Sequence, residues 1–296
     1  MEDITAKDIY YGSRGEDFKR LISSLLIKGK LKKKYLDILM NEKNMQIYDD
    51  LFTSDEVRKG IHNYQFYETI GDGVAGNFLI DYAFDRFPFL KNEEGVQVVA
   101  RIVIVYGAKR TFAPLAEKLG FWPFISSTVD DRNRNKVNLL EDVFEAFIGG
   151  TSYILNNEFR RGVGFGICYD ILENIFNEIP MSLNYVDLFD PKTRLKEIFD
   201  ANKELGQLTY KEKVEINQQG YRITTSTAYQ IPPRSNGQLI PLGTGTAAIK
   251  DVAQPRAAEQ AIKYLNSKGY KKPLTPLFVE IETMDKATSN QLSYKL

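Results

Sequence analysis

The first part of the chain places its apolar residues at helical spacing. Phe18, Leu21, Ile22, Leu25 and Leu26 recur at i, i+3, i+4, i+7 and i+8, so residues 1–60 read as helical. A second helix is predicted from Phe66 to Ala83, with Val74, Phe78, Leu79 and Tyr82 on one stripe. It ends at Arg86-Phe87-Pro88, where the proline disfavours helical geometry in Phe87. From Gly95 to Tyr106 the residues are mostly β-branched (Val96, Val98, Val99, Ile102, Val103, Ile104, Val105), and propensity alone predicts a strand. Ala113 to Leu119 is a short helix, and Asp130 to Asn135 a polar loop. Leu139 to Leu155 is a long apolar helix interrupted by Gly149-Gly150, and Phe159 to Ile179 continues helical through Gly162, Gly164 and Gly166.

The period changes after Pro180. Pro191 to Ala201 reads as a helix. Leu208 to Ile216 and Tyr221 to Tyr229 read as strands joined by a turn at Asn217-Gln218-Gln219-Gly220. A loop at Pro232 to Gly237 precedes a short strand, Gln238 to Leu242, and Pro255 opens a helix through Leu265. The expected organisation is an all-α domain over residues 1–186, a small α+β domain of order α-β-β-β-α over 187–272, and a polar tail over 273–296.

Composition narrows the chemistry. The single cysteine, Cys168, rules out an intramolecular disulfide framework, and with a single histidine, His62, it disfavours zinc. Any metal chemistry must rest on carboxylates, which points to a hard cation such as Mg²⁺ or Mn²⁺. No apolar run is long enough to span a membrane, and the acidic start, Met1 to Thr5, lacks a signal-peptide pattern. An intracellular, cytoplasmic protein is expected. Formal net charge is zero, but residues 1–186 hold 23 basic and 27 acidic side chains whereas 187–272 hold 14 and 9. An acidic part joined to a basic part suits an enzyme with a polyanion-binding appendage. The run Lys28 to Lys34, rich in lysine, is either a solvated face or an RNA contact.

Two segments concentrate the candidate chemistry. In Tyr67-Glu68-Thr69-Ile70-Gly71-Asp72, Glu68 and Asp72 are i and i+4, and so lie on one helix face. Gly71 leaves room beside Asp72 for another backbone or a ligand. In Glu141-Asp142-Val143-Phe144-Glu145-Ala146-Phe147-Ile148-Gly149, Asp142 and Glu145 are i and i+3 on an otherwise apolar helix. Carboxylates rarely sit near a core without a partner. If the two helices cross, four carboxylates converge on an oxygen-rich site for one or two Mg²⁺ ions.

These motifs resemble those of the ribonuclease III family, with its Glu-x-x-Gly-Asp signature helix and its later Asp-Val-x-Glu-Ala-x-Ile-Gly helix. Asp85-Arg86-Phe87-Pro88, and Glu94-Gly95 with the following segment through Arg101, also resemble that family. The resemblance implies a helical nuclease domain, and it makes Gly95 to Tyr106 a helix against its propensity. It implies that Glu68, Asp72, Asp142 and Glu145 bind a divalent metal, with Asp72 and Glu145 the catalytic residues most sensitive to substitution and Glu94 an auxiliary acid. A homodimer is implied that hydrolyses double-stranded RNA, one strand per subunit, leaving short 3′ overhangs and 5′ phosphates.

Asp190-Pro191-Lys192-Thr193-Arg194-Leu195-Lys196-Glu197 and Ala257-Ala258-Glu259-Gln260-Ala261 resemble the opening and closing helices of a double-stranded-RNA-binding domain, which reads A-form shape over ~16 base pairs. Its expected phosphate contacts are Lys192, Arg256 and Lys263. There are departures. Gln65 replaces a further acid, Thr69 stands where relatives carry a bulky apolar plug for the partner subunit, and Pro255-Arg256 replaces a lysine pair after an insertion around Thr246 to Gln254. Their spread resembles the divergent ribonuclease III proteins of large DNA viruses. The alternative functions are a catalytically silent relative that binds structured RNA and a protein that sequesters double-stranded RNA.

Overall fold

A computed structural model describes residues 8–293, with side chains through Met284. The acidic start, Met1 to Thr5, lies outside the described residues. The chain divides into two compact units, residues 1–181 and 182–296, each described by itself.

The first unit runs β1 (Ile9–Tyr10), α1 (Glu16–Lys28), α2 (Lys33–Leu39), α3 (Glu42–Leu51), α4 (Gln65–Arg86), α5 (Glu93–Tyr106), α6 (Lys109–Lys118), β2 (Ser127–Thr128), α7 (Val129–Arg134), α8 (Lys136–Glu158) and α9 (Val163–Phe176). The predicted stripe of α1 is the face it buries: Phe18, Ile22, Leu25 and Leu26 are at most 1% exposed. α8 is the central helix, buried along most of Leu139 to Leu155, with α3, α4, α6 and α9 packed on it. Phe112, Phe121 and Phe176 meet Phe144, Phe147 and one another in edge and tilted ring contacts in the core. Gly149-Gly150 does not interrupt α8. A side chain on Gly150 would run into Leu51 at 2.4 Å, so the glycine is where α3 approaches.

α5 settles the conflict over its sequence. Its buried residues, Gly95, Val98, Val99, Ile102 and Val105, recur at helical spacing on one face. The Asn92 side chain caps the helix by accepting from the Gly95 N–H at 2.9 Å. A packed amphipathic face outweighs the small helix penalty of β-branched residues. The segment read as a polar loop, Asp130 to Asn135, is largely the short helix α7; the Thr128 hydroxyl accepts from the Asp131 N–H at 3.1 Å and starts it. Nearby, β1 pairs antiparallel with β2, Ile9 opposite Thr128. The Arg132 guanidinium lies 3.8 Å from the ring centroids of both Tyr10 and Trp122. Its Nη1 and Nη2 donate to the carbonyls of Ile125 and Trp122 at 2.9 and 2.8 Å.

The second unit runs α10 (Tyr185–Leu188), α11 (Pro191–Ala201), β3 (Gln207–Ile216), β4 (Arg222–Ile231), β5 (Ile240–Ala247), α12 (Lys250–Ser267) and α13 (Pro276–Ser293). Asp190 caps α11 by accepting from the Lys192 and Thr193 N–H groups, with Pro191 in the first turn. The strands form one antiparallel sheet in the order β3-β4-β5. Leu195, Ile198 and Phe199 of α11 and Ala257, Ala258, Ala261 and Leu265 of α12 cover one face of it. α12 lies against β5 without intervening side chains: a Cβ on Gly243 would stand 2.4 Å from the Ala261 nitrogen, and one on Gly245 2.3 Å from the Ala253 carbonyl oxygen.

Two expectations are corrected in this unit. α12 starts at Lys250, so Pro255 lies inside the helix and does not open it, and part of the expected insertion, Thr246 to Gln254, is the helix's beginning. The segment read as a polar tail, 273–296, contains α13, whose Leu277, Phe278 and Ile281 are buried. Phe278 sits 5.6 Å from the Tyr185 ring and 5.8 Å from Phe189. The order α-β-β-β-α after a helical unit matches the sequence reading. Among the described residues, no helix is long and apolar enough to cross a membrane.

Candidate active site

The two acidic segments meet where α4 crosses α8. The contact is backbone on backbone. A Cβ on Gly71 would lie 1.9 Å from the Glu145 carbonyl oxygen, and one on Gly149 2.0 Å from the Tyr67 carbonyl oxygen. Gly71 therefore admits the α8 backbone, one of the two uses its position allowed. Glu68 and Asp72 flank it on α4, and Asp142 and Glu145 lie opposite on α8.

The four carboxylates differ in environment. Glu145 is buried, 8% exposed; Glu68 and Asp142 are partly buried, and Asp72 is exposed. Burial pushes the Glu145 carboxyl up to about 8, with repulsion from Asp72, Glu141, Glu68 and Asp142 adding to it. Glu68 rises to about 7, again chiefly by desolvation and then by repulsion from Asp142, Glu141, Asp72 and Asp55. Asp142 is raised by burial, against a hydrogen bond from the Tyr64 hydroxyl that favours its charged form. None of the four has an ion-pair partner among the described residues.

The crossing thus holds four carboxylates that repel one another and form no ion pair among the described residues; Lys109 offsets part of the charge at Asp142 and its neighbour Glu141. The expectation that they converge is met only in part. They act on one another electrostatically, but among the described residues no three acidic, histidine or cysteine side chains form a ready-made metal cage. The donors are oxygens alone, suited to a hard cation.

Sequence reasoning missed three neighbours. Glu141 precedes Asp142 and faces Asp72 and Asp142 as well as Lys109; its adjacency to the motif was a usable signal. Asp55 and Tyr64 arrive from the segment between α3 and α4, whose irregular course no periodicity predicts. Glu94, the auxiliary candidate, stands in the first turn of α5 and is not among the main groups that shift Glu68, Asp142 or Glu145. Cys168 and His62 do not form a pair. The Cys168 thiol is buried, donates to the Ile148 carbonyl at 3.4 Å and is pushed well up by desolvation, while His62 is exposed beside Asp50 at 3.2 Å.

In the second unit Lys192 is exposed at the start of α11, with Lys196 one turn on. Arg256 and Lys263 are exposed two turns apart on one face of α12, and the Arg256 Nη1 donates to the Thr246 carbonyl at 2.6 Å.

Comparison with known proteins agrees with the motifs. The ribonuclease III domain model matches residues 65–153, the stretch from the start of α4 into α8. A ribonuclease 3 homologue of Invertebrate iridescent virus 6 is 35% identical over 278 residues, 90% of this chain and 92% of that protein. One of Frog virus 3 is 35% identical over 253 residues, 84% of this chain and 63% of that one. The ribonuclease 3 of Lactococcus lactis is 27% identical over 218 residues, 73% of this chain and 86% of that enzyme. Among solved structures, the nuclease domain of ribonuclease III from Campylobacter jejuni aligns with a TM-score of 0.41 and 24% identity, over 54% of this chain and 99% of that one. With the signature helix, the second acidic helix and near full-length similarity to viral relatives in agreement, this chain belongs to the ribonuclease III family.

Proposed function

We propose that the chain is an endoribonuclease that hydrolyses phosphodiester bonds of double-stranded RNA with a divalent cation, Mg²⁺ or Mn²⁺, held by Glu68, Asp72, Asp142 and Glu145. The observation that carries this reading is the α4–α8 crossing, where partly buried carboxylates face one another without an ion-paired partner and with Lys109 as a partial offset at Asp142 only. Their mutual repulsion costs stability that a bound cation would relieve, and an all-oxygen donor set suits Mg²⁺ better than zinc. When bound, such a cation polarises a phosphodiester oxygen and lowers the pKa of a coordinated water.

The protein's own groups divide the remaining work. Asp72, exposed, meets the substrate side; Glu145, buried beneath it, fixes the site's position through the α8 backbone. Tyr64 orients the Asp142 carboxylate by donating its hydroxyl proton. Lys192, Arg256 and Lys263 of the second unit hold phosphates, and Glu94 assists from α5. The active form is a homodimer. Phe66, half exposed on α4 and in ring contact with Tyr67 and Tyr153, offers the second copy an apolar contact one turn before Thr69.

The test is incubation of the purified protein with a long labelled RNA duplex, with and without Mg²⁺, beside Glu145→Gln and Asp72→Asn. Metal-dependent shortening by the unmodified protein alone is expected. Cleavage that persisted in both variants would sink the site assignment; duplex binding without cleavage by any of the three would favour the silent, RNA-binding reading.

A further inference from the structure

The lysine run after α1 takes no part in the carboxylate site, and its placement is costly. Lys32 stands at the N-cap position of α2, with Lys33 and Lys34 in the first turn, all three exposed. A helix N-terminus carries partial positive charge, so lysines there oppose the dipole as well as one another. The first turn of α2 holds no acidic residue to offset them.

A second basic segment shares this surface. Phe159, Arg160 and Arg161 follow α8, all exposed. Tyr35 meets Phe159 edge-on with ring centroids 5.4 Å apart, which joins two segments more than a hundred residues apart in the chain. The Lys34 ammonium lies 4.8 Å over the Tyr35 ring. Acids close by in the chain are committed elsewhere: Glu158 pairs with Lys43, and Asp170 and Glu173 pair with Lys30. Asp37, further along α2, forms no ion pair among the described residues. Nor does any of Lys32, Lys33, Lys34, Arg160 or Arg161.

Five unpaired cations are thus gathered in a unit whose own sequence is net acidic. Local choices that cost stability without an internal compensator mark a surface kept for something outside the fold. We infer that Lys32, Lys33, Lys34, Arg160 and Arg161 form a second docking surface for the phosphate backbone of double-stranded RNA. This rests on the proposed nuclease function and adds a contact remote from the carboxylates. Glu158, the last residue of α8 and next to Phe159, follows Glu145 by thirteen residues, about 20 Å at 1.5 Å per residue. Flexible ammonium and guanidinium groups on an open surface engage phosphates without reading bases. Each neutralised phosphate releases counterions, so the contact has a salt signature.

The experiment measures duplex RNA binding against salt concentration in the Glu145→Gln background, where binding is separated from cutting. Two variants are compared with that parent: Lys32→Gln/Lys33→Gln/Lys34→Gln and Arg160→Gln/Arg161→Gln. Each should bind more weakly, with a salt slope shallower by about 3 and about 2 respectively, at roughly 0.9 per phosphate. The melting temperature should hold or rise in the lysine variant, because repulsion is removed. Unchanged affinity and slope in both variants, with the parent binding and the unmodified protein cutting, would overturn the docking surface alone. Failure of the parent to bind duplex RNA would sink the nuclease reading and this inference with it. A fall in melting temperature with no change in slope would make the residues structural and also overturn it.

Discussion

Replacing Glu145 by glutamine should make the protein more stable at neutral and alkaline pH when divalent cations are removed. In the folded chain the Glu145 carboxyl titrates at about 8, against an ordinary 4.5. Below the lower value it is protonated in both folded and unfolded chains and contributes nothing. Above it the unfolded chain releases a proton that the folded chain keeps, so stability falls by about 1.4 kcal/mol per pH unit until the folded group ionises as well. At a pH near 7.5 that is about 4 kcal/mol, and partial relaxation of the surrounding carboxylates brings the expected gain for Glu145→Gln to about 2–4 kcal/mol. For a cooperative unit of about 180 residues the melting temperature should rise by roughly 5–10 °C. The assay is thermal unfolding by circular dichroism in EDTA across about pH 4 to 9. The curves of the two proteins should meet at the acid end and separate as pH rises. Mg²⁺ should then raise the melting temperature of the unmodified protein more than that of the variant. Parallel curves across the range would refute the view that Glu145 is held at a desolvated, repulsive position.

Gly71→Ala should cost about 3 kcal/mol or more in urea unfolding, the upper end for overpacking, because the added carbon meets the Glu145 carbonyl at 1.9 Å and both partners are backbone; a change under about 0.5 kcal/mol would refute the close crossing. Arg132→Ala removes two hydrogen bonds to carbonyls and the stack between Tyr10 and Trp122, and should cost about 2–3 kcal/mol with a red shift of the single tryptophan's emission. Unaltered emission would count against the stack. Gly245→Val, made in the cleavage-deficient Glu145→Gln protein, should lift α12 from β5 and weaken duplex binding. Binding equal to the parent would show that the second unit does not serve the RNA contact.

The parts of this fold that were legible in the sequence are those where one face decides. The stripe of α1 and the acidic faces of α4 and α8 follow directly from residue spacing. α5 reads as a strand by its β-branched composition and as a helix only through the family resemblance; its buried set, Val98, Val99, Ile102 and Val105, shows that a helical spacing was present in the segment and went unread. α7 was hidden by its polarity, although Thr128 three residues before Asp131 is a capping signal. α13 was missed because its main apolar residues, Leu277, Phe278, Val279 and Ile281, are confined to its first turns and the rest of the segment is largely polar. Within the site, the i, i+4 and i, i+3 carboxylate pairs were readable on each helix. The crossing that brings them together depends on Gly71 and Gly149, which are 78 positions apart in the chain, and Asp55 and Tyr64 reach it from irregular backbone.

A contact of bare backbone on bare backbone has a floor and little slack. At the α4–α8 crossing the helices cannot approach further, since a carbonyl oxygen already fills the place a methyl would take. Drawing apart would open a void beside the most buried stretch of α8. Sliding by one helical turn, about 5.4 Å, would bring Tyr67 or Ala75 into the notch that only glycine fits. The crossing therefore behaves like a fixed-gauge track, with its spacing set by the radius of an oxygen atom and not by the size of any side chain. Core residues elsewhere in the unit can trade volume over generations without altering that gauge, so the sequence around the acidic faces is free to drift while the distance between them is inherited unchanged.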